Sequence, residues 1–151
     1  MWLPDWFKKR QGSRPVPEGR VRILVLSMSF EDRFLLQRLG KQHDWELRFT
    51  YSPRERLNLA SRRHFQLILC DHNQPGYPWR EVMDRLAACS PQSRILLVSP
   101  VNDDYLRRDV IQQGGYDVLL RPLREESALR AVQAVFRFVS PEGGVSIGCQ
   151  C

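Results

Sequence analysis

Two rhythms of apolar and polar residues alternate along residues 22–139. RILVLS (22–27) is apolar without a break, as in a short strand covered on both faces. FEDRFLLQRLG (30–40) follows, with Phe30, Phe34, Leu35 and Leu39 near helical spacing and Gly40 placed to end a helix. WELRFTY (45–51) alternates, which predicts a half-buried or edge strand. SPRE (52–55) predicts a helix start: Ser52 at the N-cap, Pro53 at N1 and Glu55 closing a capping box, with Leu57, Leu59 and Ala60 carried on to about Arg63. FQLILC (65–70) is the third strand, and PWREVMDRLAAC (78–89) the third helix, with Val82, Met83, Leu86 and Ala87 as its buried stripe. RILLVS (94–99) is the fourth strand. DDYLRRDVIQQG (103–114) is the fourth helix, with acids in the first turn to suit the helix dipole and Gly114 beyond its end. YDVLL (116–120) is the fifth strand; EESALRAVQAVFRFV (125–139) is the fifth helix, with Leu129, Val132, Val135, Phe136 and Val139 on one face.

Strict alternation with short loops predicts an α/β fold: a parallel sheet with helices on both faces. Right-handed crossovers reduce the choices to a doubly wound sheet. Such sheets hold ligands beyond the C-terminal ends of the strands. The residues to watch are therefore Ser27, Met28 and Ser29; Asp71, His72 and Asn73; Ser99; and Arg121 and Pro122.

Composition narrows the reading. The chain's 151 residues make one domain with a real core, and 42% hydrophobic and 26% charged residues are ordinary for a globular protein. The longest apolar run is too short to span a bilayer, and MWLPDWFKKR has its charge on the wrong side for a secretory signal. The chain is expected to be soluble and cytoplasmic. The net charge is +6; residues 1–22 hold six basic and two acidic groups, and the remainder 17 and 15. The basicity thus belongs mostly to a leader, which also contains Pro4, Pro15 and Pro17 and an aromatic MWLPDWF segment. That segment is placed to dock on the body or on a partner. Cys70 and Cys89 read as packing residues, whereas Cys149 and Cys151 form a terminal CQC whose redox or metal role stays open.

The strand-end residues make an incomplete anion site. Asp71 is an acceptor when ionised, Ser99 donates one hydrogen bond, and Arg121 offers a planar cationic fork. These groups suit either phosphate chemistry at Asp71 or an inert Asp71–Arg121 ion pair with Ser99 bonded to it.

FQLILCDHNQPG (65–76), RILLVS (94–99) and GGYDVLLRPL (114–123) together resemble the response-regulator receiver domain, the phosphoacceptor module of two-component signalling in the CheY-like superfamily. The resemblance covers about 22–139 and implies a (βα)5, flavodoxin-like sheet of order 2-1-3-4-5. With the leader and tail read from their composition, the chain divides into three parts: leader 1–20, read as flexible; receiver-like domain 21–139; and flexible tail 140–151. It puts Asp71 at the phosphoacceptor position, Ser99 at the hydroxyl position and Arg121-Pro122 where the family has a cis Lys-Pro. It also implies a protein-docking surface on the fourth helix, fifth strand and fifth helix, with Tyr105, Arg107 and Arg108 as contact residues.

Three departures shape the expected function. The family binds Mg²⁺ through an acid pair after the first strand, and Ser27 and Met28 stand there instead. A hydroxyl and a thioether are poor ligands for a hard cation. Glu31 and Asp32 lie close enough in sequence to reach back, and the Asn73 backbone would join them if Mg²⁺ were kept. Arg121 keeps the lysine's charge but favours two-point pairing with a carboxylate. Val118 takes the place of the family's switch aromatic. The expectation is a stand-alone, degenerate receiver that is no enzyme and holds no resident cofactor. It docks on a signalling protein such as a sensor histidine kinase or a downstream effector. The alternatives are a flavin- or other cofactor-binding domain of flavodoxin-like topology, or a nucleic-acid-associated protein using the basic leader. SMSFED has no glycine for a flavin phosphate, DHNQPG lacks the cobalamin spacing, and His43, His64 and His72 form no ligand cluster by spacing. No base-reading element accompanies the leader.

Overall fold

The computed structural model describes residues 20–139. The leader through residue 19, the tail from 140, and with it Cys149 and Cys151, lie outside the described residues. Five strands and five helices alternate: β1 (Arg22–Leu26), α1 (Phe30–His43), β2 (Glu46–Thr50), α2 (Pro53–Arg62), β3 (Leu67–Asp71), α3 (Trp79–Cys89), β4 (Arg94–Ser99), α4 (Asp104–Gln112), β5 (Asp117–Leu120) and α5 (Glu125–Val139). The strands pair in parallel in the order β2-β1-β3-β4-β5, as expected.

Strand alternation divides the core in two. Ile23, Val25, Leu67, Leu69, Leu96 and Val98 point to the face covered by α1 and α5. Leu24, Leu26, Ile68, Cys70, Ile95 and Leu97 point to the face covered by α2, α3 and α4. Both faces of β1, β3 and β4 are buried, which explains their unbroken apolar runs. β2 is the edge strand that its alternating sequence implied.

α1 departs from the sequence reading in two ways. It passes through Gly40 and ends at His43, because Asp44 adopts the left-handed cap (φ 59°). Gly40 instead allows close packing: a Cβ there would come 2.8 Å from Leu47 Cδ1. Of the expected stripe, Leu39 is buried and Leu35 half-buried against the core, but Phe30 and Phe34 are 69% and 61% exposed, and Asp32 and Leu36 complete the buried face instead. The expected capping box on α2 is only half present. The Ser52 hydroxyl accepts from the Glu55 N–H, but the Glu55 carboxylate accepts from Thr50 Oγ1, and Thr50 Oγ1 in turn accepts from the Ser52 N–H. Val82, Met83 and Leu86 of α3 are buried as expected, with Ala87 half-buried. So are Val132 and Val135 of α5, with Leu129 half-buried; the side chains of Phe136 and Val139 lie outside the description.

Candidate functional site

β3 lies at the centre of the sheet and delivers Asp71 to its C-terminal edge, on the α1/α5 side. The Asp71 side chain is 2% exposed. Arg121, just past β5, places a single guanidinium nitrogen against both carboxylate oxygens: Nη1 is 2.8 Å from Oδ2 and 3.0 Å from Oδ1. The expected pair forms, but through one nitrogen rather than the two-nitrogen fork. The Asn73 N–H donates to Oδ1 at 2.9 Å, closing an Asx turn that aims the carboxylate. His72 Nδ1 is 3.7 Å from Oδ1, beyond hydrogen-bond range.

The chain reverses around this pair. The Arg121-Pro122 bond is cis, as the resemblance implied. The next residue, Leu123, donates its N–H to Asp32 Oδ1 at 2.9 Å. Asp32 therefore ties α1 to the β5–α5 loop from a position only 2% exposed. Its other oxygen, Oδ2, has no hydrogen-bond partner among the described residues.

Ser27 and Met28 differ in what they offer. Met28 is 3% exposed and packs into the α1/α5 core, so its thioether does structural work. Ser27 adopts φ 57°, uncommon for a residue with a Cβ, and its Oγ is buried without a partner. Ser27, Glu31, Asp32, Asp71, Asn73 and Arg121 share the wall of one cavity of about 470 Å³. That is three carboxylates against one guanidinium. Among the described residues, no three His, Cys, Asp or Glu side chains gather closely enough to hold a metal ion.

Ser99 does not join the pair. Its hydroxyl is buried and accepts from the Val101 N–H at 3.0 Å, while its carbonyl accepts from the Arg121 N–H at 2.8 Å. It thus braces the loops that carry Arg121. The inert variant with Ser99 bonded to Asp71 is not what forms.

Two residues that sequence reasoning missed support Asp71 from below. Gln74 Nε2 donates to the carbonyls of Leu26 (3.1 Å) and Asp71 (2.7 Å), stitching β1 to β3. Its Oε1 accepts from Arg56 Nη1 at 2.9 Å. Arg56 is 2% exposed, and its Nη2 has no partner among the described residues. Burial lowers the Arg56 pKa, opposed by nearby Cys70 and Tyr77. The same burial pushes the Cys70 thiol up to about 12. Cys89, half-buried and also free, has its thiol raised by desolvation. The only sequence signal for Gln74 was its place between Asp71 and the Pro75-Gly76 turn; Arg56 looks like any exposed helix cation.

The residues expected to form a partner surface lie on α4. Tyr105 is 80% exposed with the Arg108 guanidinium 5.9 Å from its ring centroid. Arg107 Nε donates to Asn102 Oδ1 at 3.1 Å and lies 3.8 Å from Asp117 Oδ1. Val118 is 4% exposed and packed in the α2/α3/α4 core, so no ring occupies that position. No described helix is long and apolar enough to cross a membrane.

No family model matches the chain. The two-component response regulator ORR3 of Oryza sativa subsp. indica is 23% identical over 126 residues, covering 82% of this chain and 96% of its own. A two-component response regulator from Clostridium difficile superposes with a TM-score of 0.70 at 17% identity, covering 78% of this chain and 96% of that one. The chemotaxis protein CheY4 of Vibrio cholerae gives 0.68 at 19%, covering 77% and 98%. The chain thus has the five-stranded parallel fold of these response-regulator structures, with strand order 2-1-3-4-5, and is similar in sequence to a two-component response regulator over most of its length.

Proposed function

We propose that this chain is a receiver domain that signals by protein docking, with Asp71 held in a standing ion pair rather than cycling through phosphorylation. It is a binding module, not an enzyme, and its partner is a signalling protein such as a sensor kinase or a downstream effector. One observation carries the reading: a single Arg121 nitrogen bonds both Asp71 oxygens in a nearly dry setting. A carboxylate whose lone pairs face a guanidinium and a backbone N–H is a poor nucleophile toward a phosphoryl donor, and phosphoryl transfer depends on positioning and charge neutralisation. The donor set fits Mg²⁺ poorly, because Met28 is committed to the core and Asp71 to Arg121.

One observation favours a second reading, a phosphorylated switch. Asp32 Oδ2 and Ser27 Oγ are unpartnered, and both residues line the cavity beside Asp71. A cation drawn to them could restore the missing charge. Titrating Mg²⁺ into ¹⁵N-labelled protein separates the two. Docking without phosphorylation predicts no saturable shift in the Ser27, Asp32, Asp71 and Asn73 amides at millimolar Mg²⁺. A saturable shift lost in Asp32→Asn would establish the second reading instead.

A further inference from the structure

On the outer side of α1 lies a feature that the Asp71 site does not use. A groove of about 910 Å³ runs between α1 and β2. Trp45, Leu47 and Phe49 supply its apolar part, and Phe34, Arg38 and Lys41 line it from α1. Trp45 is 8% exposed, Leu47 and Phe49 are half-buried, and Phe34 is 61% exposed. β2 pairs only with β1, so its other edge is open along this face. Exposed Phe30 stacks with Phe34 at 6.4 Å, extending the apolar surface toward the start of α1.

The described chain begins beside this groove. Arg20 Nε lies 3.9 Å from Asp44 Oδ1, and Asp44 is one of the groove's lining residues. Residues 1–19 join the described chain at this point, through Arg20. Their first seven, MWLPDWF, carry five large apolar side chains around one acid, Asp5. The groove offers the complement: an apolar wall and two cations, Lys41 and Arg38, the latter also 3.6 Å from Glu125 Oε1, against the lining acid Asp44. Residues 8–19 form a 12-residue spacer holding Lys8, Lys9, Arg10 and Arg14. Fully extended, such a spacer reaches roughly 40 Å. Folding back along a five-residue strand such as β2 needs only about 17 Å. A tether this short sets an effective concentration near millimolar, so even a weak site fills.

We propose that residues 1–7 occupy the α1–β2 groove of their own domain, covering the exposed aromatic face of α1. Trp2, Leu3, Trp6 and Phe7 supply the apolar contact, and Asp5 answers Arg38 and Lys41. The arrangement is independent of the state of Asp71.

The test compares amide spectra of the full ¹⁵N-labelled chain with those of a Trp2→Ala/Trp6→Ala/Phe7→Ala variant, at two protein concentrations. The proposal expects shifts at Phe34, Lys41, Leu47 and Phe49, little change at Asp71 or on α4, and identical shifts at both concentrations. Phe34→Asp, an exposed position, should in turn move residues 2–7 to freely tumbling relaxation values. Three results overturn the proposal: no change on the α1–β2 face, changes centred on another face, or changes that fade on dilution. The last would assign the groove to a second copy of the chain.

Discussion

At the level of single residues, the Asp71–Arg121 pair is asymmetric, and that asymmetry is measurable. Asp71 is sealed at 2% side-chain exposure, whereas Arg121 keeps 27%. Removing the cation strands a buried charge; removing the acid leaves a cation that water can reach. Breaking a buried pair typically costs about 3–5 kcal/mol, and partial exposure lowers that here to about 2–3 kcal/mol for Arg121→Ala. Asp71→Asn should cost clearly less. Urea midpoints at unchanged m-value check the order; equal losses would mean the pair is not the dominant contact. Cys70 provides a second test. Its thiol is held near 12 in the fold, against about 8.5 in an unfolded chain. Above the lower value the unfolded state releases a proton that the folded state keeps. Cys70 therefore stabilises fully below that pH, and its contribution falls as pH rises through the window, by at most about 1.4 kcal/mol per pH unit. Unfolding curves from neutral to strongly alkaline pH should fall less steeply for Cys70→Ala than for the parent. Asp71, Ser99, Arg121 and Pro122 could be singled out from sequence because each sits at the C-terminal end of a strand or just past it. Gln74 and Arg56 could not, since their roles exist only once β1, β3 and α2 have closed around them.

Among the elements, α1 shows where periodicity reaches its limit. Phe30, Phe34, Leu35 and Leu39 and the set Asp32, Leu36 and Leu39 are both helical stripes, about a third of a turn apart. Hydrophobicity alone selects the first set. The structure selects the second, because Asp32 meets the Leu123 N–H and turns the helix so that Leu36 enters the core. Leu36→Ala should therefore cost about 2–5 kcal/mol, and Phe30→Ala under about 1 kcal/mol. Thermal or urea unfolding of the two variants decides which stripe is buried; a larger loss for Phe30→Ala would restore the sequence-based face. Gly40 misled for a related reason. A glycine near the end of a helix signals a C-cap, but here the absent Cβ serves the approach of α1 to Leu47. The strands were easier to read. β1, β3 and β4 are covered on both faces and show it as continuous apolar runs, and β2 shows its edge position as alternation.

For the molecule as a whole, strict alternation and crossover handedness led to a doubly wound parallel sheet, and the order 2-1-3-4-5 came from the resemblance carried by the segments around Asp71, Ser99 and Arg121. What spacing could not supply is the state of the site, because that depends on which atoms already have partners. Met28 is spent on the core, Ser99 on the backbone and Arg121 on Asp71, and among the described residues Ser27 Oγ and Asp32 Oδ2 are buried atoms of the cavity's lining residues that have no hydrogen-bond partner. The central claim is that Asp71 is occupied as an ion-pair partner rather than available as a nucleophile. Intact-mass measurement of the full chain after incubation with acetyl phosphate and Mg²⁺, beside Asp71→Asn, tests it most directly. The account predicts an unchanged mass for both proteins. A gain of one phosphoryl group on the parent that is missing from Asp71→Asn would contradict it.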